Sequence, residues 1–332
     1  MGSEVDNKLK IIFIGGTGRS GTNIAKKIFL EHSRVSTLPF EYRFIIDPEG
    51  VIDFYNSFSS TWSPFMADHK IKKFEKFLQN FSKTIFIDSL AARILRYYDE
   101  SGKKITPKPY VDWKLNEWLP EFESHSKKLI EDLKDFEYNG CWPGAEGYSF
   151  NYKIYHTDYK DKAELSRILG GFISTIIREL LNKVDKDVFM EDNTWNILFA
   201  RELLELVPEA KIIHVYRDPR DVIASYIHQR WSPSNVAQAT LWYQSIMNRW
   251  FSIRKEISLN SYLEVKLEDL VGDTRTVLNK VCEFIDLPFE ENLLRVDLGM
   301  SNTGRWKKEF SEADRIYVDN QLKDILDLLD YK

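Results

Sequence analysis

An apolar run near the start of the chain leads directly into a glycine-rich loop, and this junction limits the possible folds more than any other feature. Residues 11–14 read Ile-Ile-Phe-Ile, residues 15–21 read Gly-Gly-Thr-Gly-Arg-Ser-Gly, and a helix-like stretch covers residues 24–31. In a strand–loop–helix unit the glycines let backbone N–H groups converge, and the helix N-terminus adds partial positive charge. The sequence therefore predicts a loop that binds a phosphate or a phosphate-like group.

The rest of the chain indicates an α/β protein. Strand-like runs at residues 11–14, 188–190, 211–216 and 262–265 alternate with helix-like stretches at residues 162–184, 195–206, 237–257 and 274–285. Short apolar strands between amphipathic helices predict a three-layer fold with a mainly parallel central sheet flanked by helices.

The predicted strands lie toward the two ends of the chain, and the middle has a different character. Residues 54–185 carry several tryptophans, turn-forming Pro and Gly, and Lys/Glu-rich stretches. We interpret them as a largely helical insertion on the substrate side, although an ordinary helical cap has the same composition. The chain is then expected to be a single domain with a core at about 9–53 and 186–312 and a C-terminal helix at about 313–330.

Composition excludes several classes of protein. The 332-residue chain has a formal net charge of −5, without the basic face of a general nucleic-acid binder. The only two cysteines, Cys141 and Cys282, suit neither a disulfide framework nor a zinc motif, so we expect reduced thiols and no metal. No apolar run approaches the roughly 20 residues of a membrane helix, and the polar N-terminus is unlike a secretory signal. A cytoplasmic protein without membrane insertion is expected.

Two common nucleotide-binding patterns fit the glycine loop only in part. Residues 16–21 satisfy G-x-G-x-x-G, and Glu41 follows the last glycine by 20 residues, as in a dinucleotide-binding turn. However, Arg19 fits poorly in a turn that must approach a pyrophosphate closely. The same span has Walker A spacing, but Thr22 and Asn23 stand where Lys and Ser/Thr are required. A magnesium-dependent ATPase or GTPase is therefore disfavoured.

The loop resembles the 5′-phosphosulfate loop of sulfotransferases that use 3′-phosphoadenosine 5′-phosphosulfate (PAPS). It is similar to the P-R-S-G-T-T form of the carbohydrate and protein-tyrosine enzymes, with Gly18 in place of Pro and Asn23 in place of the second Thr. The resemblance implies a P-loop-type fold and a sulfate and 5′-phosphate site that needs no metal. The residues it assigns to that site are Gly16, Thr17, Gly18, Arg19, Ser20, Gly21, Thr22 and Asn23.

Two later segments resemble other parts of the same family. Residues 212–226 read as a strand, a turn with Arg217, and a helix with Ser225, similar to the segment whose Arg and Ser contact the 3′-phosphate. Arg suits bidentate phosphate contact. The tetrad Gly304-Arg305-Trp306-Lys307 resembles the C-terminal segment that folds over the nucleotide, with Arg305 in place of Asp; a plain basic turn is the alternative. The resemblance covers residues 10–47 and 188–310, but not the insertion.

Sulfuryl transfer requires in-line geometry, cationic stabilisation and a base. The resemblance implies that Arg19 meets the sulfate. Glu41 and Arg43 resemble the E-x-R segment of protein-tyrosine sulfotransferases, which implies Glu41 as the base and Arg43 as its orienting partner. A local ion pair is the alternative, and histidines such as His228 are further candidates for the base.

One family feature is missing. Related enzymes often carry a lysine that stabilises the transferring group, and Asn193 takes that place here. Either Arg19 performs this role or a lysine such as Lys26 or Lys307 does, and the sequence leaves the choice open.

We therefore expect a PAPS-dependent sulfotransferase (EC 2.8.2 type) that releases adenosine 3′,5′-bisphosphate (PAP). Its expected acceptor is a hydroxyl of a small metabolite or sugar, and a homodimer is possible. A P-loop kinase using ATP and magnesium, with Glu191 or Asp192 as the metal ligand, and a non-catalytic nucleotide-binding module of the same fold are the alternatives.

Overall fold

The computed structural model describes residues 9–82, 115–143, 152–298 and 303–331. The chain divides into two compact units. The first comprises Met1–Thr37 and Lys186–Lys332, and the second comprises Leu38–Asp185. The expectation of a single domain remains a prediction.

A five-stranded parallel sheet forms the centre of the first unit. The strands in the described ranges are β1 (Lys10–Gly15), β2 (Val35–Ser36), β3 (Phe136–Asn139), β4 (Lys153–His156), β5 (Val188–Glu191), β6 (Lys211–Tyr216) and β7 (Tyr262–Lys266). The order in this sheet is β2-β5-β1-β6-β7, and every neighbouring pair is parallel. Ile12 of β1 pairs with Met190 of β5 on one side and Lys211 of β6 on the other.

Helices cover the sheet because its central strands are apolar on both faces. Successive side chains of a strand point to opposite faces, and Ile11, Ile12, Phe13 and Ile14 are all buried. The helices of this unit in the described ranges are Thr22–Leu30, Ala200–Leu206, Pro219–Tyr226, Val236–Ile253, Leu267–Gly272, Thr274–Phe284, Trp306–Glu309, Glu312–Gln321 and Lys323–Leu328, with 3₁₀ helices at Thr194–Phe199 and Glu291–Arg295. The predicted parallel central sheet flanked by helices is confirmed.

In the ranges that the structure describes, the second unit consists of helices and one antiparallel strand pair. Its helices in the described ranges are Arg43–Ile46, Val51–Ser60, Pro64–Ser82, Leu115–Trp118, Phe122–Leu133 and Lys162–Val184. Strands β3 and β4 pair antiparallel. Its core is aromatic: the ring of Phe44 lies 5.4 Å from that of Phe122 and 6.3 Å from that of Phe172. None of the helices in the described ranges combines the length and apolar character that a membrane span needs.

Several predicted boundaries differ from the structure. The stretch predicted as one helix at 195–206 is a 3₁₀ helix followed by the helix Ala200–Leu206, and the helix predicted to reach residue 257 ends at Ile253. The expected C-terminal helix is two helices separated at Leu322. The hairpin of β3 and β4 was not predicted, because its first strand is exposed and lacks a buried face.

A partly buried carboxylate joins β6, β7 and the helix Val236–Ile253. Glu264 accepts hydrogen bonds from Trp250 Nε1 (2.8 Å) and Arg254 Nη1 (2.8 Å), and its carboxylate lies 3.1 Å from His214 Nδ1. Burial alone would raise the pKa of Glu264, but these partners outweigh it and lower the pKa to about 2. The ionised form therefore stabilises the folded state.

We predict that Glu264→Gln lowers the free energy of unfolding by about 3 kcal/mol at pH 7. The folded-state pKa lies below the ordinary value of 4.5, so the contribution is complete above that pH and is lost as the pH falls toward 2. Urea unfolding should show the difference from wild type falling to about half near pH 3. Glu256→Gln, which removes an exposed partner of Arg201, is the control. A pH-independent difference would contradict the prediction.

Candidate functional site

The predicted anion-binding loop connects β1 to the helix Thr22–Leu30 in a backbone conformation that favours glycine. Gly18 has φ 76°, Arg19 has φ 59°, and Gly21, immediately before the helix, has φ 103°. A side chain in this region costs free energy, so Arg19 is a strained position of the kind found at binding sites.

Close packing explains the glycines at the start of the loop. A Cβ on Gly15 would lie 2.7 Å from the backbone nitrogen of Ile197, and one on Gly16 would overlap Ser20 Oγ. Gly16 N donates to Thr194 O at 3.0 Å. The loop is therefore packed against the 3₁₀ helix that follows β5.

Two buried polar atoms beside this loop have no hydrogen-bond partner in the part of the chain that the structure describes. They are Ser20 Oγ and Asn193 Nδ2, and both side chains are almost completely buried. Asn193 uses its Oδ1 to accept from Trp195 N at 3.1 Å, which leaves the amide N–H groups unused. Because an unpaired buried donor is costly, these atoms suit an oxygen-rich ligand in the loop.

The structure brings Arg19 and Ser225 together. Arg19 Nε donates to Ser225 Oγ at 2.9 Å, across 206 positions of sequence. The next residue, Tyr226, donates its hydroxyl to Thr17 O of the same loop. The loop is therefore fastened to the helix Pro219–Tyr226 at two points.

Arg217 lies two residues before the start of the same helix. It follows β6, it is buried, and its Nη2 lies 3.3 Å from Oδ2 of the buried Asp221. Asp218 caps the helix by accepting from Arg220 N at 2.9 Å. Since Asp221 precedes Ser225 by four residues, both lie on one face of the helix. Asp221 therefore connects the two predicted 3′-phosphate residues, because it pairs with Arg217 and shares a helix face with Ser225.

Asp221 also holds the C-terminal turn that contains Gly304, Arg305, Trp306 and Lys307. It accepts from Gly304 N (2.7 Å) and Trp306 N (3.1 Å). The guanidinium of Arg220 lies 4.4 Å from the centre of the Trp306 ring. The predicted residues of this turn are thereby fixed beside the helix Pro219–Tyr226. The sequence analysis predicted no role for Asp221. Its position four residues after Arg217 is the spacing of an ion pair, and this spacing could have identified it.

The acidic residues at the end of β5, Glu191 and Asp192, form contacts within the protein. Asp192 pairs with Lys26 Nζ at 2.5 Å, and Glu191 accepts from Asn196 Nδ2 at 2.5 Å. Burial raises the pKa of Asp192 even though Lys26 opposes the shift. Lys26 is thus committed to a buried ion pair.

Glu41 and Arg43 lie in the second unit and form an ion pair. Arg43 Nε lies 3.1 Å from Glu41 Oε2, and both side chains are about one third exposed. Arg43 Nη1 also contacts Asp47 Oδ1 at 3.3 Å. The pairing matches the local ion pair considered as the alternative, and the catalytic roles of both residues remain predictions. His228 of the first unit pairs with Glu309 at 3.0 Å.

Aromatic rings pack against the loop, and sequence reasoning did not predict them there. A Cβ on Gly18 would lie 2.7 Å from the ring of Trp231. That ring meets Tyr226 and Trp242 at centroid distances of 5.7 Å, and it is 49% exposed. No local pattern marked this contact because the rings come from separate elements.

Comparison with known proteins gave the following matches. Residues 12–291 match the sequence model of a family described as the sulfotransferase family. A curated relative, the 3-beta-hydroxysteroid sulfotransferase of Cavia porcellus, is 30% identical over 90 residues, which are 23% of this chain and 31% of the relative. The chain thus matches about a third of the length of that relative.

Two solved structures align with most of the chain at low identity. The sulfotransferase domain of the Synechococcus PCC 7002 olefin synthase is 17% identical, with 94% of this chain and 86% of that chain covered and a TM-score of 0.42. The sulfotransferase domain from the curacin biosynthetic pathway is 15% identical, with 98% of each chain covered and a TM-score of 0.47.

We predict that Asp221→Asn releases the C-terminal turn. The amide cannot replace the carboxylate toward Arg217 and both backbone donors, so local stability should fall by about 2 kcal/mol. Hydrogen exchange at the amides of Gly304 and Trp306 should accelerate at least about tenfold. Asp319→Asn, which removes the more exposed partner of Arg220, is the matched control. Unchanged exchange at both amides would show that Asp221 does not hold the turn.

Proposed function

The chain belongs to the sulfotransferase family, and on that basis we propose that it transfers the sulfuryl group of PAPS to a hydroxyl of a small metabolite or sugar. One observation carries the proposal. Within the first unit, the loop at 16–21 and the helix Pro219–Tyr226 are joined by the Arg19–Ser225 hydrogen bond, and the turn at 304–307 is joined to the same helix through Asp221. These are the segments that resemble the parts of the family that bind PAPS.

The residues of the first unit suit the two anionic ends of PAPS. The unpaired Ser20 Oγ and the N-terminus of the helix Thr22–Leu30 offer donors for the 5′-phosphosulfate. Arg217 and Ser225 offer a guanidinium and a hydroxyl for the 3′-phosphate. The turn at 304–307 would then cover the nucleotide.

The missing family lysine is best replaced by Arg19 and Asn193 together. Lys26 is tied to Asp192 in a buried pair, so we do not assign it to the transferring group. Arg19 has an exposed side chain and supplies positive charge, while the unused Nδ2 of Asn193 supplies a hydrogen bond beside the loop. Stabilisation of the non-bridging sulfuryl oxygens by such fixed donors lowers the barrier of an in-line transfer.

Glu41 is our candidate for the base that accepts the proton of the acceptor hydroxyl. Its ion pair with Arg43 orients the carboxylate, and an ionised carboxylate accepts a hydrogen bond from a hydroxyl. The hydroxyl proton would pass to this carboxylate as the new O–S bond forms and the S–O bond to the 5′-phosphate breaks, with PAP as the leaving group.

The kinase alternative has less support. A magnesium-dependent kinase needs an acidic metal ligand and the lysine of a Walker A loop. Asp192 is paired with Lys26, and Glu191 accepts a hydrogen bond from Asn196. Thr22 follows the last loop glycine, where a Walker A loop has lysine. We therefore retain PAPS as the proposed co-substrate.

We predict that calorimetry shows at least about tenfold tighter binding of PAP than of AMP. Chelation of divalent metal should leave the dissociation constant unchanged. Arg217→Met should weaken PAP at least about tenfold and AMP little, because only PAP carries the 3′-phosphate. The same protein should transfer labelled sulfate from PAPS to a component of a hydroxyl-bearing metabolite pool. Equal affinity for PAP and AMP would contradict PAPS as the donor, and PAP preference without any transfer would indicate the non-catalytic module.

We predict that Glu41→Gln abolishes transfer but leaves PAP affinity unchanged. The amide keeps the shape and loses the proton-accepting charge, so kcat should fall by about 100-fold or more. Glu123→Gln removes an exposed carboxylate of the same unit and should retain full activity. If Glu41→Gln retains kcat, the base is another residue, and His228→Gln is the next variant to assay.

A further inference from the structure

We propose that a cleft between two helices of the second unit binds a small organic anion. The cleft lies between the helix Phe122–Leu133 and the helix Lys162–Val184, and its volume is about 450 Å³. That volume lies within the range of small-molecule sites. None of the residues that line it is among those proposed for sulfuryl transfer, so this second site is independent of that function.

The spacing of the lining residues places them on facing sides of the two helices. Residues four positions apart share one side of a helix. The first helix contributes Lys128 and Asp132 at this spacing, and the second contributes Arg167 and Gly171. One side of each helix therefore forms one wall of the cleft.

Close packing does not explain the glycine in this wall. Gly171 follows Gly170 in the interior of a 23-residue helix, where glycine is less favourable than any residue except proline. In the ranges that the structure describes, a Cβ on Gly171 would meet no atom within 4 Å apart from its own helix backbone and chain neighbours. The missing side chain thus leaves open space in the cleft, at a cost to the helix.

The floor of the cleft is apolar and belongs to the core of the unit. Leu129 and Phe172 are almost completely buried. The ring of Phe172 lies 6.1 Å from that of Phe122 and 6.3 Å from that of Phe44. Because these rings hold Phe172 in place, the floor is formed before a ligand arrives, and it offers an apolar surface to the body of that ligand.

The charges around the cleft favour an anion. Lys128 pairs with Asp132 at 2.8 Å, and Glu164 lies 3.3 Å from Lys160 Nζ. Each of the two carboxylates that line the cleft is therefore balanced by a lysine. Arg167 is exposed and has neither a hydrogen bond nor an ion pair with any residue in the described ranges. It adds a positive charge that the protein leaves uncompensated.

The unpaired guanidinium and the apolar floor together define the chemical class of the ligand. A guanidinium binds an oxyanion through two parallel hydrogen bonds, as it does with a carboxylate. The ligand then carries one oxyanion on a compact apolar body. A carboxylate and a sulfate monoester both supply such a head group.

Calorimetry with three probes tests this site in the full-length protein. The probes 2-naphthoate and 2-naphthyl sulfate carry the two head groups on one apolar body, and 2-naphthamide has the same body without the charge. We expect at least one anion to bind with a dissociation constant of about 0.1 mM or lower, and the amide to bind at least about tenfold more weakly. Binding of a single anion would support the site and identify its head group.

Two substitutions in the helix Lys162–Val184 should each weaken binding of the anion at least about tenfold. Arg167→Gln removes the cation, so its affinity for the neutral amide should equal that of wild type. Gly171→Leu fills the open space, and because the position has room for a Cβ, the thermal unfolding midpoint should not fall. Arg178→Gln is the matched control. It removes another exposed arginine of this helix, one that does not line the cleft, and should bind like wild type.

Two results would overturn the assignment of this site. One is a wild-type protein that binds neither anion more tightly than the amide. The other is anion binding that both Arg167→Gln and Gly171→Leu leave unchanged, which would locate the bound anion elsewhere in the protein. Neither result bears on the proposed PAPS site, because its test is the separate comparison of PAP with AMP.

Discussion

The first unit depends on the position of β1 in the middle of a parallel sheet. Parallel pairing with β5 on one side and β6 on the other sends the chain out of all three strands at the same edge. The segments that follow them are the glycine loop, the 3₁₀ helix with Asn193 at its start, and the helix that begins at Pro219. Ligand sites of open α/β sheets form at this edge for the same geometric reason.

Buried and partly buried carboxylates hold the surrounding segments together. Asp221 binds the C-terminal turn and Arg217, Glu264 joins two strands to a helix, and Asp192 pairs with Lys26. Each carboxylate has specific hydrogen-bond or ion-pair donors, and these offset the free energy that its desolvation costs. Removing the carboxylate leaves those donors unpaired and destabilises the fold. The pKa values of Glu264 and Asp192 move in opposite directions. Several strong donors surround Glu264, whereas desolvation dominates at Asp192.

The predictions that the structure confirms rest on local sequence patterns. The buried strands and the helix at 162–184 follow from apolar runs and periodicity that neighbouring residues determine, and the loop follows from glycine spacing. Patterns of this kind could not reveal β3 and β4, whose pairing joins residues 14 to 20 positions apart in the chain, or the break at Leu322. They also left open which residue takes the place of the family lysine. The ion pair between Lys26 and Asp192, which is the reason for not assigning Lys26 to that place, forms only in the folded protein.

The sequence alone determined the fold class, because alternation of apolar strands and amphipathic helices is a property of the chain itself. It also determined which segments carry the glycine loop, Arg217 and Ser225. Only the tertiary structure decided that Arg19 and Ser225 share a hydrogen bond and that Asp221 holds the turn at Gly304. These contacts join residues up to 206 positions apart, and their geometry follows from strand order and packing, which no local spacing encodes.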